Sequence, residues 1–230
     1  MRCLLSLALL AANAFSQSAA PNYCFGMLMS APNRTKISDE EAQKIQAGHM
    51  AHLNALADKR WLVAAGPMVS PGNLRGLVIS KCKSIEEAKE MAAQDPAVQR
   101  GRLYIEAYPW HAPAGLGDRY RAEYEKNPDR KLKMEKYPIA FLMKSVQWNG
   151  MPSLDRLKEH GAAVQAQMAS GKMKTAGPFE DGGAKIGVFI FAPMPMEEAR
   201  QIAESDPLVK AGLARVEMLE WYAADGTFPN

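Results

Sequence analysis

The stretch WLVAAGPMVSPGNLRGLVISKCKSIEEAKEMAAQDPAVQRGRLYIEAYPW (residues 61–110) has a counterpart in KMKTAGPFEDGGAKIGVFIFAPMPMEEARQIAESDPLVKAGLARVEMLEW (residues 172–221). Ala65-Gly66-Pro67 matches Ala176-Gly177-Pro178, Glu86-Glu87-Ala88 matches Glu197-Glu198-Ala199, Asp95-Pro96 matches Asp206-Pro207, and Trp110 matches Trp221, all at an offset of 111 without a gap. The same offset pairs His49 with His160, Gly76 with Gly187, Gly101 with Gly212 and Glu106 with Glu217. Upstream, Tyr23 to Met29 matches Tyr137 to Met143 at an offset of 114, so the first copy holds three more residues, which we place in its first loop because loops tolerate insertion. A register held over this length marks an internal repeat, and it decides how every element is read.

Each copy has the same order of elements. Residues 23–30 read as a strand, 39–59 as a helix with Ser38 as N-cap, 61–66 as a strand ended by Gly66-Pro67, and 75–82 as a strand. Ser84 caps a helix to about Gln94, Asp95-Pro96 opens a turn, and 102–110 form the last strand; the first helix of the second copy falls at 153–170. The order βαββαβ is the ferredoxin-like pattern, in which right-handed crossovers give strand order 4-1-3-2 with both helices on one face. Leu77-Val78-Ile79, Ile139 to Met143 and Val188 to Phe191 are near-continuous apolar runs, which suit strands buried on both faces. The bare face needs a cover, and the simplest cover is the sheet of the other copy. The expected fold is α+β: two ferredoxin-like βαββαβ modules packed as an intrachain dimeric α+β barrel. An intermolecular partner is the other way to cover the sheets, and further homo-oligomerisation stays open.

Residues 1–16 read as a signal peptide, with Arg2, an apolar run from Leu4 to Ala12, and the small residues Ala14 and Ser16 before the cut. A membrane anchor is the competing reading, although the run is too short to span a bilayer. The expectation is an exported protein, periplasmic or extracellular, with residues 17–112 as first module, 113–136 as charged linker and 137–230 as second module with a short tail. Each half is near the lower limit for burying its own core, so the halves need each other. A formal net charge of +3 with no basic block argues against a nucleic-acid partner, and no membrane association is expected after cleavage. The linker, rich in charge from Asp118 to Lys126, reads as a solvated connector with a short helix rather than a binding arm.

The signal removes Cys3 and leaves Cys24 and Cys82, whose counterparts are Pro138 and Pro193. In the 4-1-3-2 sheet strands 1 and 3 are antiparallel neighbours, so the start of one meets the end of the other. A Cys24–Cys82 disulfide is expected, with free thiols as the alternative, and a Cα separation beyond about 7 Å would exclude it.

A His in the first helix, a Gly-Pro turn after the second strand, an Asp-Pro after the second helix, a following Gly and a last strand ending Val216-Glu217 to Trp221 closely resemble the YCII-related domain family. The resemblance covers nearly all of the chain except the signal, linker and tail. It implies a dimeric α+β barrel, tandem in some members, whose characteristic His and Asp suggest enzymatic function; one kind of member is associated with dechlorination of chlorinated aromatics. Carried over, the His falls on His49 and His160 and the Asp on Asp95 and Asp206. No cofactor is expected, since the sequence carries neither a Gly-rich phosphate loop nor a metal-ligand cluster.

A carboxylate beside an imidazole fixes its tautomer and prepares it to move a proton near neutral pH. His49 with Asp95, and His160 with Asp206, are therefore the candidate catalytic residues of a small-molecule enzyme of lyase, isomerase or hydrolase type acting on an unidentified small molecule. Against this, Ile45, His49, Leu53 and Leu56 share one helical stripe, which suits a core-edge histidine, and Asp-Pro is a frequent turn starter. The alternatives are a non-catalytic small-ligand-binding protein and a structural α+β barrel. His52 shares a helix face with His49, the spacing of two metal ligands, but its counterpart is Ala163 and no third ligand is evident, so no metal site is read. His111 reads as an exposed linker residue, and Trp110 and Trp221 as closing the barrel rim. Trp61 and Trp148 have no counterparts; they line pockets that differ between copies or fill space.

Overall fold

The computed structural model describes residues 23–229 except 71, 130, 132, 181 and 182; the proposed signal, residues 1–16, lies outside the described residues. The first module runs β1 (Tyr23–Ser30), α1 (Asp39–Asp58), β2 (Leu62–Pro67), β3 (Leu74–Ser80), α2 (Ile85–Ala93), α3 (Pro96–Gln99) and β4 (Leu103–Trp110). A connecting helix α4 (Asp118–Lys126) leads to the second: β5 (Met134–Lys144), α5 (Leu154–Ala169), β6 (Met173–Pro178), β7 (Lys185–Phe191), α6 (Met196–Glu204), α7 (Pro207–Lys210) and β8 (Ala214–Ala224). The sheets are ordered β2-β3-β1-β4 and β6-β7-β5-β8, with antiparallel neighbours, which is the expected 4-1-3-2 order twice. No helix among the described residues is long and apolar enough to cross a membrane.

The three extra residues of the first copy are not in its loop. Helix α1 starts ten residues before His49, α5 starts six before His160, and both end nine residues after their histidine. Ser38 caps α1 by accepting from the Glu41 N–H, and Asp39, Glu40 and Glu41 sit favourably on the positive end of the helix dipole. In the second copy Pro152 precedes the cap Ser153 and disfavours an earlier helical start.

The two sheets bury their bare faces against each other. Phe25, Met27, Leu77, Ile79 and Trp110 of the first meet Ile139, Phe141, Val188, Ile190 and Trp221 of the second. Phe25 sits edge-on to Trp110 at 5.2 Å and to Phe141 at 6.0 Å between ring centres. Each such buried side chain contributes about 1.5–3 kcal/mol relative to exposure. Closure at the edges is reciprocal: the Trp110 indole N–H donates to the Gly177 carbonyl at 3.1 Å, and that of Trp221 to the Gly66 carbonyl at 3.0 Å. Main-chain bonds run beside them, from Val69 N–H to Glu220 O and from His111 N–H to Pro178 O.

The connector departs from a purely solvated segment. Leu116 is buried in the inter-sheet core, Gly117 N–H donates to Thr227 O at 2.7 Å, and Tyr120 N–H donates to Gly226 O at 2.9 Å. The C-terminal tail and α4 therefore hold one another, with Phe228 buried against Tyr137 and Trp221. Met134 to Lys136 extend β5 by pairing with Ala224 to Tyr222.

Candidate functional site

Asp95 and Asp206 each cap a one-turn helix with one carboxylate oxygen and hold a histidine with the other. Oδ1 of Asp95 accepts from the Ala97 N–H at 2.8 Å, while Oδ2 lies 2.6 Å from His49 Nδ1. In the second module Oδ1 of Asp206 accepts from Leu208 N–H at 2.9 Å and Oδ2 lies 2.7 Å from His160 Nδ1. Proline in the first turn of α3 and α7 suits a short helix start, because its missing N–H is one that the turn leaves unpaired anyway. A carboxylate accepting at Nδ1 requires the proton there, so in the neutral ring Nε2 is the basic nitrogen. Both predicted pairs are thus brought together, and each Asp also does the structural work that an Asp-Pro turn implies.

Burial pushes the Asp95 carboxyl up, but the hydrogen bonds from His49 and Ala97, with the charges of His49 and His52, outweigh it and hold the group below the usual carboxylate range. A depressed folded-state value means a contribution to stability that is present above the unfolded value of about 3.9 and is lost as pH falls through the folded value. Asp95→Asn keeps a good N-cap and removes the charge. We expect thermal melts to show the wild type more stable than Asp95→Asn at pH 6, with the gap closing below about pH 4; a gap that stays constant with pH would rule out the charge as its cause.

The surroundings of the two pairs differ. His49 lines a cavity of about 690 Å³ running along α1 and the β2 edge to α4, bordered by Leu53, Ala57, Leu62 and Gly117. Helix α1 buries none of its twenty residues. In the second module the same layer is filled: Met168 stands in place of Ala57, Met173 of Leu62, Phe189 of Val78 and Phe191 of Ser80. The two histidine side chains are covered almost alike, 13% of His49 and 11% of His160 being exposed, but the His160 ring stacks on Phe189, 6.1 Å between centres.

His52 lines a small void of about 40 Å³ with Trp61 and Cys24, and among the described residues no group of three or more His, Cys, Asp or Glu side chains is placed to hold a metal. His111 is not a bare linker residue: its ring lies 3.2 Å from Glu180 Oε2 and its main chain pairs with Pro178, because the last strand of one module continues along the edge of the other. Trp110 and Trp221 are fully buried at the module junctions. Trp61 packs on the cluster around Cys24, and Trp148 sits under the Lys144 ammonium at 5.6 Å. Cys24 and Cys82 form a disulfide with a Cα separation of 5.9 Å.

Residues 25–110 and 138–222 each match the YCII-related domain. The chain belongs to the YCII-related domain family. Its two YCII domains coincide with the two sheets described above and leave out α4 and the tail. No curated protein sequence matches the chain. Among solved structures it is similar to a cyanide-bound mutant of chlorite dismutase from Candidatus Nitrospira defluvii, at 7% identity over 93% of this chain and 92% of that one, with a TM-score of 0.56. A second mutant of that enzyme aligns at 9% identity over 90% of this chain and 92% of that one, also with a TM-score of 0.56. At such identities the likeness establishes a shared α+β barrel and nothing of the chemistry. The cavity residues Ala57 and Leu62 were passed over in the sequence; the signal for them was their mismatch with Met168 and Met173 at the repeat offset.

Proposed function

We propose that the first YCII module is a small-molecule site in which His49, oriented by Asp95, takes up and returns a proton at Nε2, in chemistry of lyase, isomerase or hydrolase type. The observation that carries this reading is the 2.6 Å His49–Asp95 contact at the wall of a 690 Å³ cavity. His160 and Asp206 retain the same contact within a filled core, which supports a structural role for the second pair. Export to an oxidising compartment fits the disulfide and the reading of residues 1–16.

The test begins with a small-molecule turnover screen on the protein. On a compound it converts, His49→Ala is expected to lower kcat/KM by about 10²-fold or more, the range for losing a general acid or base. His160→Ala is expected to change Tm and leave the rate largely intact. Equal losses in both variants, or none in His49→Ala, would overturn the assignment. The apolar cavity also favours a second reading, a non-catalytic carrier; in that case His49→Gln leaves ligand affinity unchanged and no compound is turned over.

A further inference from the structure

The cavity beside His49 has a charged end that the second module lacks. Arg34, Arg75 and Arg102 line it where β1 ends and its neighbours begin: Ser30 N–H donates to Asn73 O, and Ala31 N–H to Arg102 O. The equivalents of Arg75 and Arg102 in the second module are Ile186 and Leu213. One guanidinium nitrogen of Arg102 donates to Thr35 O at 2.6 Å and one of Arg75 to Gly72 O at 3.5 Å, which steadies each fork and leaves most of its five N–H groups for another acceptor. Among the described residues none of these three arginines is ion-paired, whereas Arg60 at the far end is bound to Glu125 at 3.0 Å. From the arginine cluster the cavity runs past His49 to an apolar middle of Leu53, Ala57 and Leu62, and ends beyond them at Arg60, Lys81, Asp118 and Arg121, the last donating to Ala57 O at 3.0 Å.

We propose that this cavity takes an amphipathic organic carboxylate, its acid group held by Arg34, Arg75 and Arg102 and its apolar body lying along α1 past His49. The inference rests on the small-molecule reading above and adds the class of ligand. Planar guanidinium forks match a carboxylate in paired hydrogen bonds; Arg102 is half-buried, while Arg34 and Arg75 reach in from the exposed rim. The body of the ligand then passes the nitrogen to which the site assigns proton transfer, while its charge is anchored away from it.

Decanoate, decanol and decyltrimethylammonium share a ten-carbon chain and differ in head group, so titration calorimetry with the full-length protein separates the charge from the cavity. Decanoate is expected to bind about tenfold or more tightly than decanol, and the cation more weakly than either. Replacing both arginines by the second module's residues, Arg75→Ile with Arg102→Leu, is expected to bring decanoate down to the affinity of decanol; Arg34→Gln, in an exposed loop, gives an independent partial loss should the double variant fail to fold. Ala57→Met, again the second module's residue, is expected to weaken decanoate and decanol alike. Decanoate binding no tighter than decanol, or unchanged in the arginine variants, overturns the carboxylate inference and leaves the cavity reading standing. Ala57→Met with every affinity intact overturns the cavity reading itself, and failure of all three probes to bind overturns both.

Discussion

Gly177→Ala and Gly66→Ala are each expected to unfold the barrel or to lower its stability by roughly 3 kcal/mol or more, at or beyond the upper range for overpacking. A Cβ on Gly177 would lie 1.8 Å from the His111 carbonyl oxygen and 2.9 Å from the Trp110 indole nitrogen. On Gly66 it would lie 1.8 Å from the Tyr222 carbonyl oxygen and 3.0 Å from the carbon behind it. The nearest neighbours, the His111 and Tyr222 carbonyls, are main chain of the opposite module, so no rotamer change relieves the clash; the two sheets must part at that edge. Parting also breaks the indole–carbonyl bond and lets water into the apolar layer behind Trp110 or Trp221. Trp221→Phe is the control: it removes the donor, keeps most of the ring, and is expected to cost about 1 kcal/mol. For a chain of this size each kcal/mol shifts Tm by about 2–4 °C, so the alanine variants should melt at least about 6 °C lower. Melting within 2 °C of wild type in both would show that the junction is not held by close approach at glycine.

That junction also shows what the repeat made legible and what it hid. The offset pairs Gly66 with Gly177 and Trp110 with Trp221, yet the contacts run from Gly66 to Trp221 and from Gly177 to Trp110. Register identifies equivalent positions; a pseudo-two-fold axis joins non-equivalent ones, and nothing in a linear alignment marks the exchange. Strand order and the cysteine pairing were readable because both follow from the handedness of crossovers. Convergence of His49 on Asp95 was readable as a hypothesis, since a helix-borne ring and a turn-borne carboxylate lay near element ends. The cavity was not, because it lies where the two copies differ and a repeat is defined by where they match. At Ala57 against Met168, Arg75 against Ile186 and Arg102 against Leu213 the copies disagree, and those disagreements separate the open module from the filled one. The longer α1 and its Ser38 cap were readable from the sequence; only the three extra residues were misassigned, because an insertion goes to a loop by default, whereas Ser38 and the three following acids place them in the helix.

Reduction of the Cys24–Cys82 bridge is expected to destabilise the protein by about 2–4 kcal/mol, with the loss concentrated in the first module. The bridge closes a segment of 58 residues in sequence, long enough for a large effect on the unfolded chain. Its weight in the folded state follows from what surrounds it. Between helices and sheet the first module buries Leu28 and a small cluster of Cys24, Ala88 and Met91, with Leu56, Trp61, Cys82 and Ile85 partly covered. The second buries Leu142, Met173, Phe189 and Phe191 with four alanines in the same layer, and needs no bridge where Pro138 and Pro193 stand. Val78 and Ser80 in place of the two phenylalanines border the small void of about 40 Å³ under α1, so the covalent tie between β1 and the segment after β3 offsets the packing given up there. Hydrogen exchange on the reduced protein, or on Cys24→Ser with Cys82→Ser, should show faster exchange in α1, α2 and β3 and little change in α5, α6 and β7. Uniform loosening of both modules would mean that the bridge acts only through the unfolded state; no loosening of α1 would mean that the helix bearing His49 is held by its contacts alone.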